Sequence, residues 1–344
     1  MSEARTDTAE IGERLQVVLG SRFLLERPLA IGGMATIFLL RHRLHNGRFV
    51  AKVLHPELVD RAGVLRSFRL EARHAALLGD HPNAVPVFDF GELDGLFFML
   101  MPYIPGQDLD EVLAHEGPLD REECLHMAAQ LSSLLCHAES QGVVHCDLTP
   151  GNVRRDGFGQ YRLLDLGISQ LNGPQDRPFV GGTPLYSSPE QLRGDALDIR
   201  SDLYSLGAVL GEALSGTPLF QGSSMKEIRN RHLNGVWRMP AALSEEDPLA
   251  RLLRTLLSVD PAGRPQSAYE LSGILHACGS TRPEFRSGYG PGCGSTKATD
   301  PSSTSGPANS DAERGPSKPS APPESAGQRR RLTTQVEVEA PRSS

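Results

Sequence analysis

Cysteine is scarce in this sequence, and its cysteines form no recognisable pattern. Five are present among 344 residues, with no CxxC pair and no cysteine–histidine spacing typical of a metal site. Neither a disulfide framework nor a zinc site is indicated. We interpret them as ordinary thiols in a reducing compartment; they are Cys124, Cys136, Cys146, Cys278 and Cys293.

Long hydrophobic runs and an excess of positive charge are also lacking. A membrane helix needs about 18 apolar residues, whereas the most apolar stretch, residues 96–104, is only strand-sized. Residues 1–15 carry charges where a signal peptide has its apolar core. The formal net charge of −7 argues against nucleic acid as the main partner. We therefore expect a cytoplasmic protein without a membrane span.

Large apolar side chains almost disappear toward the C-terminus. Between residues 279 and 331 there are only Phe285 and Tyr289, among many Ser, Thr, Pro and Gly residues. This composition cannot bury enough apolar surface to offset the entropy lost on ordering. We therefore expect residues 279–344 to be a disordered tail.

Short strands dominate the sequence before residue 106. Residues 23–101 alternate apolar runs with turns, and Asn46-Gly47 between two such runs is a strong hairpin signal. Helical spacing of apolar side chains occurs over 66–78, and residues 84–92 again have strand character. This pattern predicts a small antiparallel sheet with one helix.

Helical patterns flank this sheet region on both sides. An N-terminal extension, residues 1–22, contains a short helix predicted over 11–19. Residues 106–278 show long amphipathic helical patterns. The sequence therefore predicts an α+β domain over 23–278, with a sheet-rich N-lobe (about 23–101) and a mainly helical C-lobe (about 106–278).

Side chains suited to phosphate chemistry concentrate in residues 143–167. Asp147, Asn152 and Asp165 fall on what should be two neighbouring loops joined by a short hairpin. Asp147 could accept a proton from an attacking hydroxyl, and the other two offer oxygens that suit Mg²⁺. Either aspartate alone would more often be structural, but the three at this spacing predict phosphoryl transfer.

A glycine-rich turn and a lysine lie upstream of this stretch. Gly32 and Gly33 separate two strands, where backbone N–H groups can close over phosphates; a plain tight turn is the alternative. Lys52 lies within an apolar strand, and burying it requires a partner. We expect an ion pair with Glu71 on the predicted helix; an edge-strand lysine facing water is the alternative.

In this order the motifs resemble those of the protein kinases, especially the bacterial eukaryotic-like (Hanks-type) Ser/Thr protein kinases. The resemblance extends over residues 23–278 and includes GGTPLYSSPE (181–190), SDLYSLG (201–207) and DPAGRP (260–265). It implies a bilobal protein-kinase fold, ATP and Mg²⁺ as cofactors, with Mn²⁺ as an alternative ion, and protein substrates.

The resemblance also implies roles for single residues. Asp147 would be the catalytic aspartate, Lys52 held by Glu71 would position the phosphates, and Asn152 and Asp165 would bind the metal. Further implied roles are Met101 as gatekeeper, Pro102 and Ile104 as the adenine-binding hinge, Ala30, Gly32, Gly33 and Met34 over the phosphates, Thr183 and Glu190 in the substrate-docking floor, Asp202 beneath the catalytic loop (residues 145–152), and Arg264 as partner of Glu190.

The glycine turn and the activation switch depart from the family pattern. Ala30 and Ala35 stand at the first and third glycine positions, which adds a methyl group at each without excluding phosphates. Cys146 replaces the arginine before the catalytic aspartate, so the chain is of the non-RD type. That arginine normally meets a phosphate on the activation segment, but residues 171–182 contain no Ser, Thr or Tyr. We infer activity that does not wait for phosphorylation there.

A third departure concerns the γ-phosphate. Thr149 stands where Ser/Thr members of the family have a lysine that contacts this group. Removing one preorganised donor typically lowers the rate by ~10²–10³. Arg154 or Arg155 is a candidate replacement.

The leading hypothesis is an ATP-dependent protein Ser/Thr kinase that also phosphorylates itself. A pseudokinase scaffold that binds nucleotide or partners without turnover is the alternative from another class, and a small-molecule kinase is a weaker third. In the tail, Thr333 and Thr334 follow three arginines and resemble phosphorylation sites that could dock to a forkhead-associated domain. A merely solubilising tail is the alternative there.

Overall fold

The computed structural model describes residues 3–61, 63–165 and 184–279. These residues belong to one compact unit, Met1–Arg286. The predicted roles of Thr183, Thr333 and Thr334, the departures noted over 171–182 and the expected disorder beyond residue 279 lie outside the described residues.

Five strands form the sheet of the N-lobe. Every neighbouring pair is antiparallel, and the spatial order is β1-β2-β3-β5-β4. The strands are β1 (Phe23–Ile31), β2 (Ala35–His42), β3 (Arg48–Leu54), β4 (Asp89–Leu93) and β5 (Leu96–Pro102).

Two predictions for this sheet, the β2–β3 hairpin and the strand from residue 84, differ in outcome. The hairpin predicted at Asn46-Gly47 is present, but its loop covers residues 43–47, and within the pair it is Asn46 that has a left-handed backbone, with φ +57. The strand expected from residue 84 begins only at Asp89. Pro86 lacks an N–H for a sheet ladder, and Ala84 instead forms an isolated bridge with Leu163.

A helix packs on each face of the sheet. Along β5, Leu96, Phe98 and Leu100 pack with one cluster, whereas Phe97 and Met99 pack with another, as the alternation of a strand requires. Helix α2 (Val64–Leu78) contributes to the second cluster and α1 (Glu3–Leu19) to the first. The helix predicted over 11–19 thus begins earlier, at Glu3, where the sequence lacks an apolar period.

Helices build the C-lobe around a long buried helix. They are α3 (Leu109–Glu116), α4 (Arg121–Ser140), α5 (Pro189–Arg193), α6 (Ile199–Ser215), α7 (Met225–Leu233), α8 (Pro248–Leu256) and α9 (Ala268–Ala277). Nearly the whole of α6 is buried. The predicted α+β class, with a sheet-rich lobe and a mainly helical lobe, is confirmed.

A small sheet lies at the start of the C-lobe. Its strands are β6 (Gly106–Asp108), β7 (Val153–Asp156) and β8 (Tyr161–Leu163), paired antiparallel in that order. The β7–β8 hairpin is the predicted link between the two loops of residues 143–167. Among the described residues, no helix is both long and apolar enough to cross a membrane.

Candidate active site

Lys52 contacts carboxylates from two other elements. It lies on β3, an interior strand of the sheet, and its side chain is 13% exposed. Its Nζ is 2.5 Å from Oε1 of Glu71 on α2 and 3.1 Å from Oδ2 of Asp165, just after β8. The alternative of an edge-strand lysine facing water is therefore wrong. The contact with Asp165 connects the N-lobe to the loop that follows the β7–β8 hairpin.

Burial and charge act in opposite directions on this ion cluster. Burial disfavours the charged form of Lys52, but Asp165 and Glu71 outweigh burial and raise the pKa of the ammonium group. Burial raises the pKa of Glu71, while Lys52 opposes that effect and Asp165 adds to it. The result is a lysine that stays protonated and is held in place by its two partners.

The catalytic loop brings Asp147 and Asn152 together and places them near Asp165. The side-chain amide of Asn152 donates to the backbone oxygen of Asp147 at 2.9 Å and to its Oδ2 at 3.1 Å. The N–H of Leu164 donates to the carbonyl of Asn152 at 2.9 Å. Because Asp165 follows Leu164 directly, this bond holds Asn152 near Asp165. The three residues predicted from their spacing therefore meet in space.

Three neighbours influence the ionisation of Asp147. Removal from water raises the pKa of its carboxyl group, the hydrogen bond from Asn152 lowers it, Asp165 raises it and Lys52 lowers it. The net shift is upward from the usual range of an aspartate. A carboxylate whose pKa is moved toward neutral pH is better matched to accept a proton during a reaction.

Asp202 on α6 fixes the catalytic loop from beneath. Its two carboxylate oxygens accept the backbone N–H groups of His145 and Cys146, each at 2.7 Å, and its side chain is fully buried. Cys146 has φ +60, which is strained for a residue with a Cβ. The side chain of Gln191 donates to the Cys146 carbonyl at 2.7 Å. Hydrogen bonds on both sides of this residue thus hold its unusual conformation.

His145 belongs to the supporting structure of the loop. It is 2% exposed, and its Nδ1 accepts the backbone N–H of Asp147 at 3.2 Å. Burial lowers the pKa of His145 to about 4. The imidazole is therefore neutral at physiological pH and orients the loop without adding charge.

The glycine turn lies at the tip of the β1–β2 hairpin. The N–H of Gly32 donates to the carbonyl of Ala35, and the carbonyl of Met34 accepts from His55, both at 2.9 Å. Gly33 is exposed, and a Cβ there would meet nothing within 4 Å. Ala30 is an exposed residue of β1. These hydrogen bonds are those of a tight turn. Contacts between this turn and the phosphates of a nucleotide stay a prediction.

The predicted hinge follows β5. Met101 is buried and pairs with Val50 on β3. Pro102 ends the strand, and the carbonyl of Ile104 accepts a hydrogen bond from Nε of Arg154 at 2.7 Å. No local pattern predicts that contact, because it joins residues far apart in the chain.

Neither arginine of β7 is placed to substitute for a lysine at position 149. Arg154 is bound to the hinge and to Asp108. Arg155 contacts Glu116 and lies 2.9 Å from Glu123. Thr149 therefore has no cationic replacement from these two side chains.

A buried ion pair anchors α5, which carries Glu190. Both terminal guanidinium nitrogens of Arg264 contact Glu190, at 2.6 and 2.9 Å, and Ser201 donates to the same carboxylate at 2.7 Å. Burial would raise the pKa of Glu190, but Arg264 outweighs it, so the pKa lies below its usual range. Because buried pairs often contribute little net stability, we interpret this one as fixing the position of Glu190 relative to Arg264.

Two carboxylates went unpredicted: Asp110, which lies beside Gly151 of the catalytic loop, and Glu212, which lies within electrostatic reach of Asp110. Oδ2 of Asp110 would be 2.9 Å from a Cβ at Gly151, so this position favours glycine. Buried Glu212 accepts a hydrogen bond from the hydroxyl of Tyr186 at 2.6 Å. Burial raises the pKa of Glu212 to about 7, and Asp110 adds to the effect. No motif marks such residues, since acidic side chains on helices are common.

Asn152 and Asp165 are the residues that could hold a divalent cation. In the part of the chain that the structure describes, no group of three or more His, Cys, Asp or Glu side chains could form a metal cage. Mg²⁺ is commonly bound by one or two carboxylates together with substrate phosphates and water. One carboxylate and one amide oxygen fit that mode of binding.

Comparisons with known proteins agree with this geometry. A family profile described as the protein kinase domain matches residues 23–274. The chain is 33% identical over 291 residues to Serine/threonine-protein kinase pkn3 of Myxococcus xanthus, with 80% of this chain and 53% of that protein aligned. It is 37% identical over 288 residues to Serine/threonine-protein kinase pkn2 of the same organism, with 80% and 34% aligned.

A third relative comes from another genus. Serine/threonine-protein kinase PrkC of Bacillus subtilis (strain 168) is 31% identical over 270 residues, with 78% of this chain and 41% of that protein aligned. The chain thus spans about half or less of the length of these three relatives.

The support from beneath the catalytic loop can be tested by replacing Asp202 with Asn. An amide offers one acceptor oxygen where the carboxylate offers two, so one buried backbone N–H loses its partner, at a cost of about 1–3 kcal/mol. We expect the free energy of unfolding in urea to fall by that amount.

Asp198→Asn is the matched control for this substitution. Asp198 caps the same helix, its side chain is 51% exposed, and asparagine caps helices equally well. Asp198 also pairs with Arg200, and an exposed ion pair contributes about 0.2–1 kcal/mol, so that variant should lose no more than about 1 kcal/mol. Equal stability of the Asp202→Asn and Asp198→Asn variants would contradict the supporting role.

Proposed function

Because this chain belongs to the protein kinase family, we propose that it transfers the γ-phosphate of ATP to serine or threonine hydroxyls of proteins. The observation that carries the proposal is the contact of Lys52 with both Glu71 and Asp165, with Asp147 and Asn152 close by. This arrangement supplies a phosphate-binding cation, oxygens for a metal, and a proton acceptor within one cleft.

Each group has a separate task in the proposed reaction. Lys52, held by Glu71, positions the phosphates, and Asn152 and Asp165 hold Mg²⁺, or Mn²⁺ in its place. A bound divalent ion neutralises charge on the β and γ phosphates. Asp147 orients the acceptor hydroxyl and takes its proton as the hydroxyl oxygen bonds to the γ-phosphorus. The bond between the γ-phosphorus and the β–γ bridging oxygen breaks in the same step, and ADP leaves.

The hinge and the glycine turn supply the remaining nucleotide contacts. We assign the adenine contacts to the backbone of Pro102 and Ile104, with Met101 as gatekeeper behind them. The backbone from Ala30 to Met34 covers the phosphates. These assignments follow from the family resemblance and from the positions of both segments beside β3, which carries Lys52.

We propose that activity does not require phosphorylation of the activation segment. In non-RD fashion, Cys146 takes the place of an arginine that would need a phosphate partner. Its backbone is already held by Asp202 and Gln191. The catalytic loop therefore has internal support for its conformation. Thr149 makes the enzyme slow, since no β7 arginine supplies the missing donor.

The second candidate function is a pseudokinase scaffold. The observation that favours it is the commitment of Arg154 and Arg155 to other partners, which leaves Thr149 without a cationic replacement from β7. A scaffold would bind nucleotide through Lys52 and Asp165 but would not turn it over. The substitution Asp147→Asn separates the two candidates.

Protein substrates are the proposed partners. We assign Thr183 and Glu190 to the floor on which a peptide docks, with Glu190 held by Arg264.

Autophosphorylation is proposed for the tail, at Thr333 or Thr334, followed by docking to a forkhead-associated domain. Mass spectrometry of the protein after incubation with ATP and Mg²⁺ should find phosphate on one of these threonines. Unmodified threonines would contradict the tail proposal.

Asp147→Asn tests the proposed transfer reaction. The amide cannot take the hydroxyl proton, so labelling of the protein itself and of a general protein substrate by [γ-³²P]ATP should fall at least ~10²-fold. Asp80→Asn, at an exposed aspartate, is the isosteric control and should label like the wild type.

The same assay decides between kinase and scaffold. Asp147-dependent labelling by the wild type excludes the scaffold. Nucleotide binding without any Asp147-dependent labelling, measured by thermal shift with ATP and Mg²⁺, would overturn the kinase and support the scaffold.

A further inference from the structure

Arg154 connects the strand after the catalytic loop to the hinge. Its Nε donates to the carbonyl of Ile104, one terminal nitrogen donates to the carbonyl of Gly106, and the other donates to Oδ1 of Asp108, each at 2.7 Å. The side chain is 15% exposed. Three short hydrogen bonds from one planar group fix both its position and its orientation.

The alternation of β7 separates this side chain from its neighbours. Val153 is buried in the C-lobe core, and Arg155 contacts Glu116 on α3 and Glu123 on α4. Arg154, between them, faces the hinge instead. In sequence it is two residues from Asn152, the proposed metal ligand, and in space it contacts Ile104 of the proposed hinge.

The partner of Arg154 lies close to the ion cluster. Asp108 pairs with Arg154 across β6 and β7 and is 28% exposed. Desolvation raises the pKa of Asp108 and Arg154 opposes that effect; the carboxylate of Asp165 also acts on it. The Arg154–Asp108 pair therefore lies within electrostatic reach of the cleft that holds Lys52 and Asp165.

We propose that Arg154 is a specificity-determining residue of the nucleotide site, which makes the hinge selective for adenine over guanine by occupying the carbonyl of Ile104. This inference rests on the proposed function only in taking the hinge as the base-binding segment. It does not require that the bound nucleotide is turned over.

The selectivity follows from the donors and acceptors on each purine. The hydrogen-bonding edge of adenine carries one amino donor and one ring acceptor, so a single carbonyl and a single N–H at the hinge satisfy it. Guanine presents a carbonyl acceptor and two adjacent donors, so it needs a second carbonyl. The Ile104 carbonyl already accepts a short bond from a cation, which uses one of its two lone pairs and weakens it as an acceptor for another donor. Guanine would therefore have one donor poorly paired at the hinge, and such donors are costly once a ligand removes them from water.

The test compares nucleotide binding by the full chain with and without this side chain. The probes are the β,γ-imido analogues of ATP and GTP with Mg²⁺, titrated by calorimetry. The wild type should prefer the ATP analogue. Arg154→Leu frees the Ile104 carbonyl and loosens the hinge, so binding of the ATP analogue should weaken and the ATP-to-GTP affinity ratio should fall about tenfold.

Two further variants separate specificity from folding. Arg154→Lys keeps the charge but cannot bond to all three acceptors as a planar fork, so it should lower the ratio as well. Arg155→Leu removes a similarly paired arginine from the same strand and should keep the wild-type ratio, even if it lowers thermal stability.

The outcomes bear differently on the two proposals. An unchanged ratio in both Arg154 variants, or a wild type that binds neither analogue, would overturn the role of Arg154. Selective binding by a wild type that shows no Asp147-dependent transfer would overturn the kinase proposal and leave the role of Arg154 supported.

Discussion

The contact of Lys52 with two carboxylates is the interaction on which the rest of the site depends. An ammonium group inside a sheet is costly unless it is paired, and here one partner comes from α2 and the other from the loop after β8. The pair with Glu71 sets the position of α2 against the sheet. The contact with Asp165 ties that arrangement to the residues that would hold the metal.

The catalytic loop depends on a second buried group. Cys146 is held in a left-handed conformation by a carboxylate beneath it and by an amide from α5. Asp202 can serve this purpose because α6 is buried along nearly its whole length and is therefore a fixed base. In this way the helical core of the C-lobe determines where Asp147 and Asn152 point. The ion cluster then sets their distance from the N-lobe.

Local patterns predicted most of the elements, and long-range contacts explain what they missed. The turn at Asn46-Gly47 was predictable because its backbone requirement is local. The late start of β4 was not, because the pairing of Ala84 with Leu163 is a contact between lobes. The full length of α1 was missed because its first turns have no apolar period.

The same distinction holds for the site. The ordered motifs pointed to Lys52, Glu71 and Asp147, since each lies in a recognisable local setting. The structure places Glu71 in contact with Lys52, and both within electrostatic reach of Asp147. Arg154 carried no local signal, because its role depends on a hinge far from it in sequence. The pairing of β6 with β7 brings Arg154 to the hinge, where it bonds to Ile104.

The most direct test of this account is a double-mutant cycle on Lys52→Met and Glu71→Gln, with kcat/KM for ATP as the readout. If Glu71 acts only by holding Lys52, each single change lowers kcat/KM, and Glu71→Gln has no further effect once Lys52 is replaced. Losses that multiply in the double variant would show that the two residues act independently, which would contradict the central role of their contact.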